Sequence, residues 1–225
     1  MTNFLRGLFG GGRKGTAGPL AAALDHYPPN TPPHPGPVAK LTEAEAEANL
    51  RWFLGSRDDR LAALGAVLTD HGIDVAPVLD PAADPVPTYR TLTAWLRETL
   101  PPRDLLPGGS KNNAPVDAFT RSERRGDEIF FSFVADLALL EGEGVVRRSP
   151  GWRWDLARAP ADAGTYGFRR VALVRDGGAG RLPLAIDLEL ETLELLYAMR
   201  RSTPDAGQPL GRTLGSVVAG TFDAF

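Results

Sequence analysis

EIFFSFVADLALLEGEGVVRRSPGWRWDL, residues 128–156, runs from a long apolar helix through a Ser149-Pro150-Gly151 stop into a tryptophan-rich strand. Ser122 and the acids that follow it suit a helix start, so the pattern predicts one helix from about Ser122 to about Arg148. Plotted at roughly 100° per residue, it separates two faces. Ala135, Ala138 and Gly142 share one of them, where small side chains let a neighbouring element come close. The other carries Ile129, Phe133, Asp136, Leu140, Glu143 and Arg147. Asp136 lies between Phe133 and Leu140 on neighbouring turns, so its charge is drawn into an apolar setting and needs donors to stay ionised. Glu143 precedes Arg147 by four residues, the favourable orientation for a pair within a helix. After the stop, Trp152, Trp154 and Leu156 alternate with Arg153 and Asp155, as in a strand with its indoles inward.

Upstream, Thr42 and Glu45 form a capping box for a helix to about Leu54, and Ser56 offers a second N-cap for a helix to Gly72, together a helical hairpin. Thr88 to Leu100 reads as a third helix, halted by Pro101-Pro102. Downstream, a strand from Tyr166 to Val174, a glycine-rich turn over Asp176–Gly180 and an edge strand over Leu182–Leu190 complete a small antiparallel sheet. Helix resumes from about Glu191, and Leu210, Leu214, Val217, Val218 and Phe222 recur as in a closing helix. The expected fold class is α+β: N-terminal helices, a long central helix, about three antiparallel strands and C-terminal helices, in one domain over residues 38–225.

Residues 1–37 read differently. Phe4, Leu5, Leu8 and Phe9 recur at helical spacing, either a weak peripheral anchor for a membrane surface or partner groove, or a frayed or loosely docked terminus. The Gly10-x-Gly12-x-x-Gly15 order has no strand before it and carries no dinucleotide reading. YPPNTPPHPGP, Tyr27–Pro37, reads as a proline-rich spacer.

Composition sets limits on function. A formal charge of -3 offers no electrostatic reason for nucleic-acid binding. The absence of cysteine excludes disulfides, thiolate metal sites and thiol nucleophiles. No run approaches the roughly 20 apolar residues that span a bilayer. His26, His34 and His71 are not spaced as metal ligands, PGGSKNNAP at 107–115 lacks phosphate-loop spacing, and no hydrolase elbow occurs. No catalytic residue, cofactor or metal is expected. Asp136, Glu143 and Arg147, supported by Trp152 and Trp154, then leave two readings open: a structural ion-pair network, or the floor of a polar pocket for a small ligand or a carboxylate-based reaction.

From Asp136 to Trp154, DLALLEGE, a basic pair and PGWRW resemble a segment of small bacterial domains of uncharacterised function, some grouped with immunity proteins of polymorphic toxin systems. Gly142-Glu143 and the tryptophans carry the resemblance; Gly144 and the proline-rich N-terminus depart from it. The resemblance implies a cytoplasmic, non-catalytic protein whose partner is another protein. Abundant alanine, glycine and proline, with lysine only at 14, 40 and 111, agree with bacterial coding.

Overall fold

The computed structural model describes residues 18–36, 40–108, 114–158, 165–177, 183–200 and 210–221. In chain order its elements are α1 (Pro19–Ala23), α2 (Glu43–Asp70), α3 (Ala76–Leu79), α4 (Val86–Thr99), α5 (Ala114–Arg121) and α6 (Phe130–Arg148). Strands β1 (Trp152–Leu156), β2 (Val171–Arg175) and β3 (Leu184–Ile186) and helices α7 (Leu188–Ala198) and α8 (Arg212–Val218) follow. The fold is α+β, with helices on both sides of the sheet in sequence.

Helix α6 is the axle. Every residue from Phe130 to Val145 is buried, as a helix apolar nearly all round requires. It packs against α7, α2, α8, α3 and β1. It starts later than the sequence suggests, because Ser122 caps no helix. The Ser122 hydroxyl donates to Glu128 at 2.7 Å and accepts the Arg124 N–H at 2.7 Å, shaping a turn that leads through a single 3₁₀ turn at Gly126–Glu128. The two glycines of α6 permit close approach. A Cβ at Gly142 would lie 2.1 Å from the Trp154 ring, and one at Gly144 would lie 2.7 Å from Leu214 and 3.0 Å from the Val78 carbonyl.

Strand β1 turns Trp152, Trp154 and Leu156 inward, so the indole of Trp154 fills the notch at Gly142. The antiparallel order is β1-β2-β3, with Trp154 opposite Leu173 and Leu173 opposite Ile186. The second strand begins at Val171 rather than Tyr166, and the third stops at Ile186 rather than Leu190. Asp187 ends it by accepting the Leu190 N–H at 3.0 Å as the N-cap of α7.

The expected hairpin is one uninterrupted helix, α2. Its capping box forms, with Thr42 N–H donating to Glu45 at 2.8 Å and Glu45 N–H to Thr42 at 3.3 Å. Ser56 makes no new start; its hydroxyl donates back to the Phe53 carbonyl at 3.3 Å, and the helix runs on. Helix α4 begins at Val86, not Thr88, and the short α3 and α5 have no counterpart in the sequence reading. Arg148 binds α3 to the end of α6, donating to the carbonyls of Val78, Gly144, Pro77, Asp80 and Ala83.

The largest departure is at the N-terminus. The segment read as a spacer, Tyr27–Pro37, is packed down where it begins, and Leu20, Leu24 and Tyr27 belong to the same hydrophobic cluster as Leu68, Phe133 and Leu214. This strap turns Tyr27 and Asn30 inward while Pro28, Pro29, Pro33 and Pro35 stay exposed, and prolines leave no N–H of their own to satisfy. The Phe4–Phe9 stripe, Gly10–Gly15, residues 109–113 of the polar loop, most of the glycine-rich turn and Phe222 lie outside the described residues.

The glycines of α2 and α6 respond oppositely to a methyl group. Gly142→Ala costs about 1–3 kcal/mol through overpacking against Trp154. Gly55→Ala, with nothing within 4 Å, gains about 0.5–1 kcal/mol of helix propensity. Urea unfolding of the two variants checks both signs.

Candidate functional site

Asp136 is 0% exposed and held from two directions. From the strap, Tyr27 donates its hydroxyl to Oδ2 at 2.6 Å and Asn30 donates Nδ2–H to Oδ1 at 2.6 Å. From α2, Arg60 donates Nε–H to Oδ1 at 3.1 Å and Nη2–H to Oδ2. The same guanidinium lies 5.4 Å from the Tyr27 ring centroid and donates to the carbonyls of Pro28 and Pro29 at 3.0 and 3.3 Å. Burial pushes the Asp136 carboxyl above its ordinary range, against the pull of Arg60, Tyr27 and Asn30. Burial, then the Asp136 charge, raises the Tyr27 hydroxyl well above its usual value. One turn earlier, Ser132 accepts the Asn30 N–H at 2.7 Å and donates to the Arg124 carbonyl at 2.6 Å.

Glu143 belongs to a second, separate group. Its Oε1 accepts from Arg57 Nη1 and Trp154 Nε1, each at 2.9 Å. Arg147 is its outermost neighbour, with Nε 3.6 Å from Oε2 and the side chain 41% exposed. Trp152 does not join this group; the Arg175 guanidinium lies 5.0 Å from its ring centroid. Thus Glu143, Arg147 and Trp154 come together, while Asp136 is tied to the strap. Both acids are closed into ion pairs, and neither lines a described cleft. The geometry is that of a structural network, not of a pocket floored by two acids. Tyr27, Asn30, Arg57 and Arg60 escaped the sequence reading. Arg57 and Arg60 lie three apart on one face of α2.

Glu141 takes a third direction. Its Oε1 accepts the N–H groups of Thr213 and Leu214 at 2.8 and 3.2 Å, seating the start of α8, and the Arg212 charge favours its ionised form. Burial pushes its carboxyl up to about 7.

A cleft lies elsewhere, lined by the strap at Pro32–Gly36, Trp52 of α2, and Arg124, Arg169 and Arg170. Arg124 grips Glu189 with both terminal nitrogens at 2.9 and 2.7 Å. Arg170 spans Asp187 and Glu189, each at 2.6 Å. Burial opposes the Glu189 charge, but Arg124 and Arg170 together outweigh it and hold its carboxyl at about 2. Arg124 and Arg169 are the non-glycine residues with positive φ among those described, at 55° and 61°. Such backbone is held by its surroundings and concentrates at functional positions. Arg169 donates to the Leu41 carbonyl at 2.9 Å, and its Nε lies 3.1 Å from Glu43 without being aimed at it. Trp52 is partly exposed at the mouth of this cleft, and its indole N–H has no partner among the described residues.

Among the described residues no three His, Asp or Glu side chains converge as metal ligands, and no helix is long and apolar enough to cross a membrane. No protein-family model, curated protein or solved structure matches the chain.

The two carboxyls titrate with opposite signs. Glu189, held low, contributes stability that is present above about pH 4.5 and lost toward pH 2. Glu141, raised from 4.5 to about 7, gives the folded chain an extra proton across that window, so its contribution falls as pH rises. Glu141→Gln keeps an acceptor for both N–H groups and removes the titration. Its stability relative to wild type therefore climbs by up to about 3 kcal/mol between about pH 5 and about pH 8. Urea unfolding across that range checks it; two parallel stability curves contradict it.

Proposed function

We propose that the chain is a protein-binding module with no chemistry of its own, and that its partner docks at the cleft where Trp52 stands. The observation that carries this reading is a contrast in satisfaction. Asp136, Glu143, Glu189 and Asp187 each have an arginine partner inside the fold, which leaves none of them free as an acid, base or ligand. Trp52, by contrast, offers a partly exposed ring and an unused donor in a cleft also lined by Pro32, Pro35 and Arg169. Tryptophan and arginine at a concave site are the side chains that most often anchor a protein interface.

The resemblance of residues 136–154 to domains grouped with immunity proteins makes a toxin domain the first partner class to try, and a subunit of a larger assembly the second. A cytoplasmic setting belongs to the same reading. A single anchor of this kind contributes at least about 2 kcal/mol when truncated.

The test uses the full chain as bait in extracts of its source, followed by calorimetry with the recovered partner. A stoichiometric partner is expected, with affinity falling at least about thirtyfold for Trp52→Ala and unchanged for Arg147→Ala. Circular dichroism establishes that both variants fold. Failure to recover any stoichiometric partner, or equal affinity for Trp52→Ala, overturns the proposal.

A further inference from the structure

Helix α8 is seated on a buried acid. Its seven residues are too few for a helix to persist alone in water, so α8 forms only as it docks. Leu214 fills the notch at Gly144, beside Val78 of α3. The N–H groups of Thr213 and Leu214 both end on Oε1 of Glu141, which is 4% exposed. Glu191 of α7 accepts the Thr213 hydroxyl at 3.3 Å and lies 3.4 Å from Arg212. At the far end of the helix Val218 is exposed.

The surroundings of Glu141 divide over its charge. Burial above all, with the Glu191 charge, opposes the carboxylate, while the two N–H groups and the Arg212 charge favour it. The Glu141 charge also acts on Tyr89 of α4, whose buried hydroxyl has no hydrogen-bond partner among the described residues. The Tyr89 ring lies against Gly211, where a Cβ would come within 2.5 Å of it. The remaining cations near the axle are engaged elsewhere: Arg57 and Arg60 of α2 hold Glu143 and Asp136, and Arg148 holds carbonyls of α3. Helix α3 itself brings no titratable group.

We infer that α8 is a latch, held while Glu141 keeps its proton and released as Glu141 ionises. Undocking carries Thr213 and Leu214 away, opens the carboxyl to water and hydrates the Tyr89 hydroxyl. Water returns the carboxyl from about 7 to its ordinary 4.5, so between those values the docked form holds a proton that the open form gives up. Docking has its full advantage below about pH 4.5 and loses it as pH rises through about 7. The latch therefore opens on the alkaline side. Opening bares the notch at Gly144 and Val78 beside it, an apolar surface otherwise covered by Leu214. None of these residues lines the cleft of Trp52.

The experiment is native-state hydrogen exchange on the full-length protein, followed by NMR and corrected for the intrinsic effect of pH on exchange. The Gly215 and Ala219 amides, bonded to the Gly211 and Gly215 carbonyls at 2.8 and 2.9 Å, report α8. The Leu139 amide inside α6 is the reference. The α8 amides are expected to be less protected than Leu139, with an opening constant that rises up to about thirtyfold from about pH 5.5 to about pH 8. Glu141→Gln keeps an acceptor for both N–H groups and should flatten the profile. Glu191→Gln removes a charge that opposes ionisation and should move the upper end of the rise to lower pH. A flat profile in wild type overturns the inference, as does a rise that survives Glu141→Gln. Equal protection of α8 and Leu139 also overturns it, because the two then open only by unfolding together.

Discussion

A carboxylate without access to water must be met by donors, and Asp136 is met by three side chains from two distant parts of the chain. Tyr27 and Asn30 come from the strap, Arg60 from α2, and Arg60 also takes up the carbonyls of Pro28 and Pro29. The charge therefore specifies a position. Wherever α6 lies, the strap must cross it at Asp136 and α2 must run alongside it. Buried ion pairs are weak evidence of net stability, since desolvation offsets most of the attraction, but removing one partner alone leaves a charge that costs about 3–5 kcal/mol. Specificity of arrangement is the consequence the geometry supports.

The same logic repeats along the axle. Glu141 takes the start of α8, Glu143 takes Arg57 and the Trp154 indole, and Arg148 gathers the carbonyls of α3 and the loop after it. An apolar helix buried on all sides can be packed in several rotations about its own axis. Polar groups that each accept one neighbour remove that freedom. Arginine suits this use better than lysine, because its planar fork serves two or more acceptors at once, as Arg60, Arg124, Arg148 and Arg170 do. A chain with lysine only at positions 14, 40 and 111 is consistent with a fold whose cations mostly hold carbonyls and carboxylates in place.

Local pattern was enough where local chemistry decides. The apolar period of α6, its Pro150-Gly151 stop, the alternation at Trp152–Leu156 and the Thr42/Glu45 capping box all describe their own surroundings. Pattern misled where a distant residue decides. Gly55-Ser56 looks like a break, yet α2 runs through it without interruption. The alternation to Leu190 looks like strand, yet Asp187 with the Leu190 N–H three residues on marks a cap. Proline density from Tyr27 to Pro35 looks like a spacer because prolines fail in ladders, a reasoning that ignores carbonyls awaiting a guanidinium. For the candidate site, the acids and the near partners of Glu143, Arg147 and Trp154, were visible, but the distant ones were not, since each partner lies at least 76 residues away for Asp136 and 86 for the Arg57 contact of Glu143.

The most direct measurement is a double-mutant cycle of unfolding free energies for Asp136→Asn and Arg60→Met, singly and together. If Asp136 fastens strap and α2 to the axle, the two substitutions couple by about 2–3 kcal/mol, the double variant losing far less than the sum of the singles. Coupling near zero, with each single variant costing under about 1 kcal/mol, contradicts the account.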